Sequence, residues 1–464
     1  MRARGRLIIL ISIVVVACGA ALLAGACGSK RGSSVQSRAT QAASLAPAAR
    51  TLSPLPERTL SPALDSVRLR VTAKASSTRE LAWVTEPGMT ELTGWEYGTR
   101  AGEMAEVLGG DELRGLSRLA VAGGLLPEGT DLATLAAGFT AASATAMYSP
   151  FDKRVLLVAQ AREKSSSAHA GASSSADVVD ESLLAHEFTH ALQDQHFDLL
   201  KLLTAKPYNF DRTEAAFAVV EGDAMNVQRR LEEGDAAWSR RTPDEAARLE
   251  EARFTTFRTE LGALFPPLLT ETFVFRYRDG ARLVEIARRR GGERAVDDLF
   301  MRPPASSEQV LHPEKYFADE QPREIRLDDE RLAAAGWKLV TSTPLGELGV
   351  RGTLLKSLSR RDAERAASGW GGDRAYLFER SKNDSLFVWK SSWDSANDAG
   401  EFFRAYNALE RARGANVAGG SDRNEAEKMW REGGVFTLVR LDGDSVLILR
   451  GRESDVAQAD ALAQ

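Results

Sequence analysis

The chain has 464 residues, 43% hydrophobic and 27% charged, with a formal net charge of −5. That length accommodates two or three domains, and the composition is ordinary for a soluble globular protein. The mildly acidic balance speaks against a nucleic-acid partner, which would call for a strongly basic surface.

Arg2, Arg4 and Arg6 precede an almost wholly apolar run from Leu7 to Ala26. A basic segment followed by an apolar one is an export signal. A run of about 20 residues would also span a bilayer if left uncleaved. Both cysteines lie here. Val15-Val16-Ala17-Cys18 and Ala24-Gly25-Ala26-Cys27 each resemble a bacterial lipobox. The resemblance makes residues 1–27 a signal peptide with its lipobox, cut before a cysteine that then carries a lipid. Cys27 is preferred, because it closes the apolar run and a polar stretch follows. An uncleaved anchor is the alternative; either way the membrane is a partner. The rest of the chain has no cysteine, so no disulfide supports the fold. Residues 28–64, rich in Ser, Ala, Arg and Pro, read as a disordered tether.

From Asp65 the pattern becomes regular. Val67-Arg68-Leu69-Arg70-Val71 alternates like a strand. Helices are expected over 90–108, 111–122 and 131–142. Residues 147–158 read as two strands about a Ser149-Pro150 turn, and 161–176 as a loop carrying His169. Together 65–176 form an N-terminal α+β part, and 177–335 are mainly helical. Residues 336–464 form a small α+β domain. Its strands fall near 376–378, 386–389, 436–439 and 446–449, with a hairpin turn at Asp442-Gly443-Asp444 and helices over 354–367 and 398–412. The expected class is α+β.

The helical part contains His186-Glu187-Phe188-Thr189-His190. Helix positions four apart lie on one face. Two imidazoles so placed can bind one Zn²⁺, and Glu187, one step round, can serve as general base toward a water that the metal acidifies. Leu183, Leu184, Phe188 and Leu192 give the helix a buried face.

Zinc needs a third protein ligand. His196 has the spacing of a metzincin third histidine, but the glycine that would turn the chain back is Gln193, a helix former. On a continuing helix, His196 is rotated about 240° from His190. Glu221 is the other candidate. It sits in the apolar segment 215–224, where a carboxylate without a partner is costly, and Gly222 leaves room for a neighbouring helix. Asp211-Arg212-Thr213-Glu214 resembles a capping box at that helix's start. Glu214, two turns before Glu221, is a weaker alternative ligand.

His186-Glu187-x-x-His190 followed by Glu221-Gly222 in a second helix resembles the gluzincin zinc peptidases. More closely, 186–199, 220–224 and 307–316 resemble a group of exported bacterial zinc-metallopeptidase-like proteins. The gap from His190 to Glu221 is longer than in well-studied gluzincins. The resemblance implies a zincin-like fold, Zn²⁺ held by His186, His190 and Glu221, and a peptide or protein substrate. It also implies a His or Tyr that stabilises the oxyanion, for which His312 and Tyr316 are the candidates. Asp194, one turn after His190, is placed to hydrogen-bond a ligand histidine. The strand at 155–158 would be the sheet edge that pairs with substrate. The expected function is zinc-dependent peptide-bond hydrolysis at the cell envelope. The alternatives are a metzincin-like site using His196 and a non-catalytic binding or assembly lipoprotein on the same fold.

Overall fold

The computed structural model describes residues 52–135, 146–159, 180–261, 265–381, 384–418 and 425–463. The export segment with Cys18 and Cys27, the His169 loop and most of 131–142 lie outside these. The described chain mixes helices with two sheets.

The first helix, α1 (Pro62–Arg79), stands where Val67–Val71 reads as a strand. Ser61 caps it by accepting the Leu64 N–H, and Pro62 fits its first turn. Leu64, Val67, Val71 and Ala75 are buried at helical spacing, while Leu69 is 50% exposed. Five alternating residues satisfy either period; the cap and the longer spacing decide for the helix. Within 28–64, the described part lies against the fold. Leu52, Leu55 and Leu60 pack on the core, and Arg58 pairs with Glu96 at 2.7 Å.

Helix α2 (Gly94–Ala122) joins the helices expected over 90–108 and 111–122, with a non-helical residue at Gly109 between them, but residues 90–92 are strand. Three short strands follow the order β1–β3–β2. These are β1 (Gly88–Leu92), β2 (Ala146–Ser149) and β3 (Arg154–Val158). The expected hairpin is present as β2 against β3. However, β3 also pairs with β1 in parallel. The strand at 155–158 is therefore central, and the sheet edge beside the motif helix is β2.

That motif helix is α3 (Glu181–Phe197), capped by Asp180. Helix α4 (Phe210–Glu233) is capped by Asn209, whose side chain accepts the Arg212 N–H, rather than by Asp211. Helices α5 (Pro243–Leu261) and α6 (Pro267–Met301) complete the bundle. The Gly291-Gly292 pair breaks the helical geometry of α6.

Beyond Gly336 lies a seven-stranded antiparallel sheet, ordered β4–β5–β6–β10–β9–β8–β7. Its strands are β4 (Lys338–Thr343), β5 (Trp370–Ser381), β6 (Asp384–Trp393), β7 (Asn416–Val417), β8 (Glu427–Glu432), β9 (Val435–Asp442) and β10 (Ser445–Gly451). Gly443, at φ 57, turns β9 into β10, as the Asp-Gly signal requires. Of the expected helix over 354–367 only the later part is present, as α8 (Arg360–Ala367); α7 (Gly346–Leu354) lies just before it and ends at Leu354, and α9 (Ala396–Ala412) and α10 (Glu453–Ala463) follow. Strand alternation divides two cores. Phe387 and Trp389 face one; Leu386 and Val388 face the other, with Val456 of α10. The first core also takes in Leu113, Leu116 and Leu119 of α2. The sheet thus packs directly on the N-terminal part, and Gly336 marks a change of element rather than a gap in packing.

Candidate metal centre

The i, i+4 spacing on α3 stacks His186 above His190, with ring centroids 4.7 Å apart. Helix α4 crosses α3 and brings Glu221 Oε2 to 3.3 Å from His186 Nε2 and 3.5 Å from His190 Nε2. One potential ligand atom from each of the three residues lies within 4.8 Å of the other two. Glu221 is positioned by an unusually close helix pair. A Cβ added at Gly222 would lie 2.2 Å from the Gly280 carbonyl carbon of α6, so α4 and α6 touch backbone to backbone. One turn before Gly222, Ala218 makes the matching contact: a Cβ at Gly280 would lie 2.0 Å from its carbonyl oxygen.

Glu214 is not part of the group. Arg276 holds it through Nε at 2.6 Å and Nη2 at 2.7 Å. Nor is His196, which is exposed on α3 with Nε2 2.8 Å from the Ala82 carbonyl. The chain turns only at Asp198, in the left-handed region at φ 55, too late to swing His196 back.

The residues fit a zinc ion. His186, Glu187, His190 and Glu221 have no exposed surface. Both imidazole Nε2 atoms and both Glu221 oxygens lack a hydrogen-bond partner, an expensive arrangement unless a cation is present. Zinc–nitrogen and zinc–oxygen bonds near 2.1 Å in a tetrahedron set neighbouring ligand atoms about 3.4 Å apart. The two His–Glu221 separations match that edge. Burial lowers the His186 imidazole to about 4, leaving it neutral at neutral pH, as a ligand must be.

Glu187 shares this enclosure. Its Oε2 accepts the Tyr148 N–H of β2 at 2.8 Å, while Oε1 has no partner. Burial pushes its carboxyl well above the usual range. Asp194 does not reach a ligand histidine. It accepts from Tyr148 Oη at 2.6 Å, Lys153 Nζ at 2.7 Å and the Leu199 N–H at 3.1 Å. The group beside His190 is Gln193, with Oε1 2.8 Å from His190 Nδ1. Position 193 reads from sequence only as a helix former.

Tyr277 of α6 also escapes sequence reasoning. Its ring stacks on His186 at 6.4 Å. Its hydroxyl is buried without a hydrogen-bond partner and is kept protonated by burial and by the Glu221 carboxylate. The available signal is a tyrosine beside an arginine in the apolar run Phe273-Val274-Phe275-Arg276-Tyr277.

His312 and Tyr316 are engaged away from this group. Tyr316 donates to the Arg302 carbonyl at 2.9 Å. His312 Nε2 lies 3.0 Å from Glu347 Oε2, with Glu314 at 3.8 Å from Nδ1. The Glu347 hydrogen bond raises the His312 imidazole above its ordinary value. A group whose folded pKa is raised stabilises below its unfolded value, about 6.5, and loses that contribution as pH rises through the folded one. Urea unfolding should therefore show stability falling as pH rises from about 6.5 through neutrality. His312→Gln should flatten that fall; an unchanged slope rules the pair out as its source. Among the described residues the other group of potential ligands, Glu308, Glu320 and Asp394, surrounds Lys315 Nζ at 2.7, 2.7 and 2.8 Å, so an ammonium already occupies its centre.

Residues 282–463 match a family described as a domain of unknown function (DUF8575). The matched stretch begins within α6, past Tyr277, and takes in the C-terminal sheet. It leaves out the helices that carry His186, His190 and Glu221. No curated protein and no solved structure matches the chain.

Proposed function

We propose that the protein is a zinc-dependent peptide-bond hydrolase of gluzincin type, with a zincin-like catalytic unit. The observation that carries this reading is the convergence of three buried ligand atoms otherwise without partners, His186 Nε2, His190 Nε2 and Glu221 Oε2. Zinc held there supplies Lewis acidity to a peptide carbonyl and to a water. Glu187 Oε1 takes the proton of the attacking water and hands one to the leaving amine. The Tyr148 N–H holds the other carboxylate oxygen in place. The Tyr277 hydroxyl, buried and kept neutral beside Glu221, donates to the developing oxyanion, the role expected of His312 or Tyr316. The basic and apolar N-terminus suits export and membrane tethering, with peptides or proteins of the envelope as substrates.

The purified full chain should carry about one zinc, cleave an unstructured protein substrate, stop on chelation and resume when zinc returns. Glu221→Ala should abolish zinc retention, and His196→Ala should keep it; the reverse result transfers the third-ligand role to His196. Tyr277→Phe should keep zinc and lower turnover on the order of 10²-fold. His312→Ala and Tyr316→Phe should each cost less than about 10-fold. A larger loss in either one reassigns the oxyanion donor.

A second reading has one observation in its favour. All four central side chains are fully buried, and closed sites are typical of structural zinc, whereas catalytic zinc keeps an open position. A chain that binds zinc tightly and cleaves no peptide would be a binding or assembly lipoprotein on this fold.

A further inference from the structure

We infer that Gln193 is a positioning residue that fixes His190 in the tautomer with a free Nε2, and that Asp223 and Arg79 fix Gln193 in turn. This rests on the metal-site reading above. A glutamine side chain can present its oxygen or its nitrogen in either direction, so its surroundings decide which. Gln193 Nε2 lies 3.0 Å from the Val220 carbonyl and 2.9 Å from Asp223 Oδ2. Carbonyl and carboxylate oxygens only accept, so the amide nitrogen must face them.

Gln193 Oε1 then faces His190 Nδ1 at 2.8 Å. A carbonyl oxygen cannot donate, so Nδ1 carries a proton, and the neutral ring then has its lone pair on Nε2, 3.5 Å from Glu221 Oε2. Asp223 cannot turn away, because Arg79 Nε holds it at 2.9 Å. Arg79 is anchored in turn by Asp297 at 2.6 Å and Glu293 at 3.3 Å. Gln193 and Arg79 have no exposed surface and Asp223 has 1%, so bulk water does not compete for these bonds. The chain of contacts runs from the end of α1 through α4 to the histidine on α3. Gln193 lies one turn beyond His190, where the carboxylate expected for this role would have been Asp194.

The test uses the full chain in detergent, with zinc affinity measured against a chromophoric chelator. Long-range ¹H–¹⁵N spectra of the metal-free protein report the His190 tautomer. In wild type, Nδ1 should carry the proton. Gln193→Leu should lower zinc affinity roughly 10–100-fold and let His190 populate the other tautomer. Gln193→Glu, which sets two carboxylates together, should also lose affinity. Adding Asp223→Asn supplies a donor to the new carboxylate and should restore most of the loss, a recovery that a merely structural role would not produce. The inference is overturned if Gln193→Leu keeps both wild-type affinity and a single tautomer, or if the paired change recovers nothing. The paired change also decides the matter if Gln193→Leu fails to fold. If wild type binds no zinc, the metal-site reading falls, and the tautomer spectra still decide this one.

Discussion

Glu187→Gln is expected to leave zinc bound and to lower turnover roughly 10²–10⁴-fold, the range of a lost general base. The substitution keeps shape and most contacts. Glutamine retains a carbonyl oxygen to accept the Tyr148 N–H now bound by Oε2. Its amide nitrogen then takes the place of Oε1, the oxygen without a partner, and an amide cannot collect a proton from water. No ligand atom is removed, so zinc content should stay at the wild-type value. Cleavage of a fluorogenic peptide and zinc content, measured on the same preparation, separate the possible results. Turnover near wild type would remove Glu187 from the chemistry. Joint loss of zinc and turnover would make it part of the metal's own support.

The second large effect lies in the crossing of α4 and α6. Gly222→Val should destabilise the fold by about 3 kcal/mol or more, at or beyond the upper end of ordinary overpacking. A Cβ at position 222 would sit 2.2 Å from the Gly280 carbonyl carbon, 2.4 Å from its oxygen and 2.6 Å from the Ala281 nitrogen. All three are backbone atoms of a helix and cannot rotate aside. The helices must separate, and Glu221, the residue just before Gly222 on α4, moves with them. Zinc affinity should therefore fall together with the urea midpoint. Gly434→Ala is the control, since a Cβ there meets nothing within 4 Å; its stability should shift by less than about 1 kcal/mol. A Gly222→Val chain as stable as the control would mean that the backbone contact does not set the helix spacing.

The convergence of His186, His190 and Glu221 could be read from the chain because each of its signals is local. His186 and His190 lie four apart on one helix, and that spacing alone puts them on a shared face. Glu221 betrays itself as a carboxylate inside the apolar segment 215–224 of α4, beside a glycine that permits close approach. The strands 376–378, 386–389, 436–439 and 446–449 follow the same logic, since a short apolar run between turn signals marks a strand buried on both faces. Short or ambiguous patterns fail. The stretch 67–71 looks like a strand over five residues and becomes a helix over eighteen, because the Ser61 cap and the burial of Ala75 lie outside the shorter window.

What the sequence determined by itself is a set of side chains that could hold a metal: two imidazoles one turn apart, a neighbouring carboxylate and a second carboxylate that burial would penalise without a cation. Which groups surround that centre was decided by packing. Tyr277 stands on a helix far along the chain, brought against α4 by the Gly222–Gly280 approach, the Arg276–Glu214 pair and the Asn226 bond to the Ala281 carbonyl. Gln193 rather than Asp194 meets His190, because Tyr148 and Lys153 of the β2–β3 hairpin claim Asp194. The place of β3 inside its sheet depends on pairing with β1, more than sixty residues upstream. These are contacts between segments remote in sequence, and no local periodicity encodes which partner a face will find.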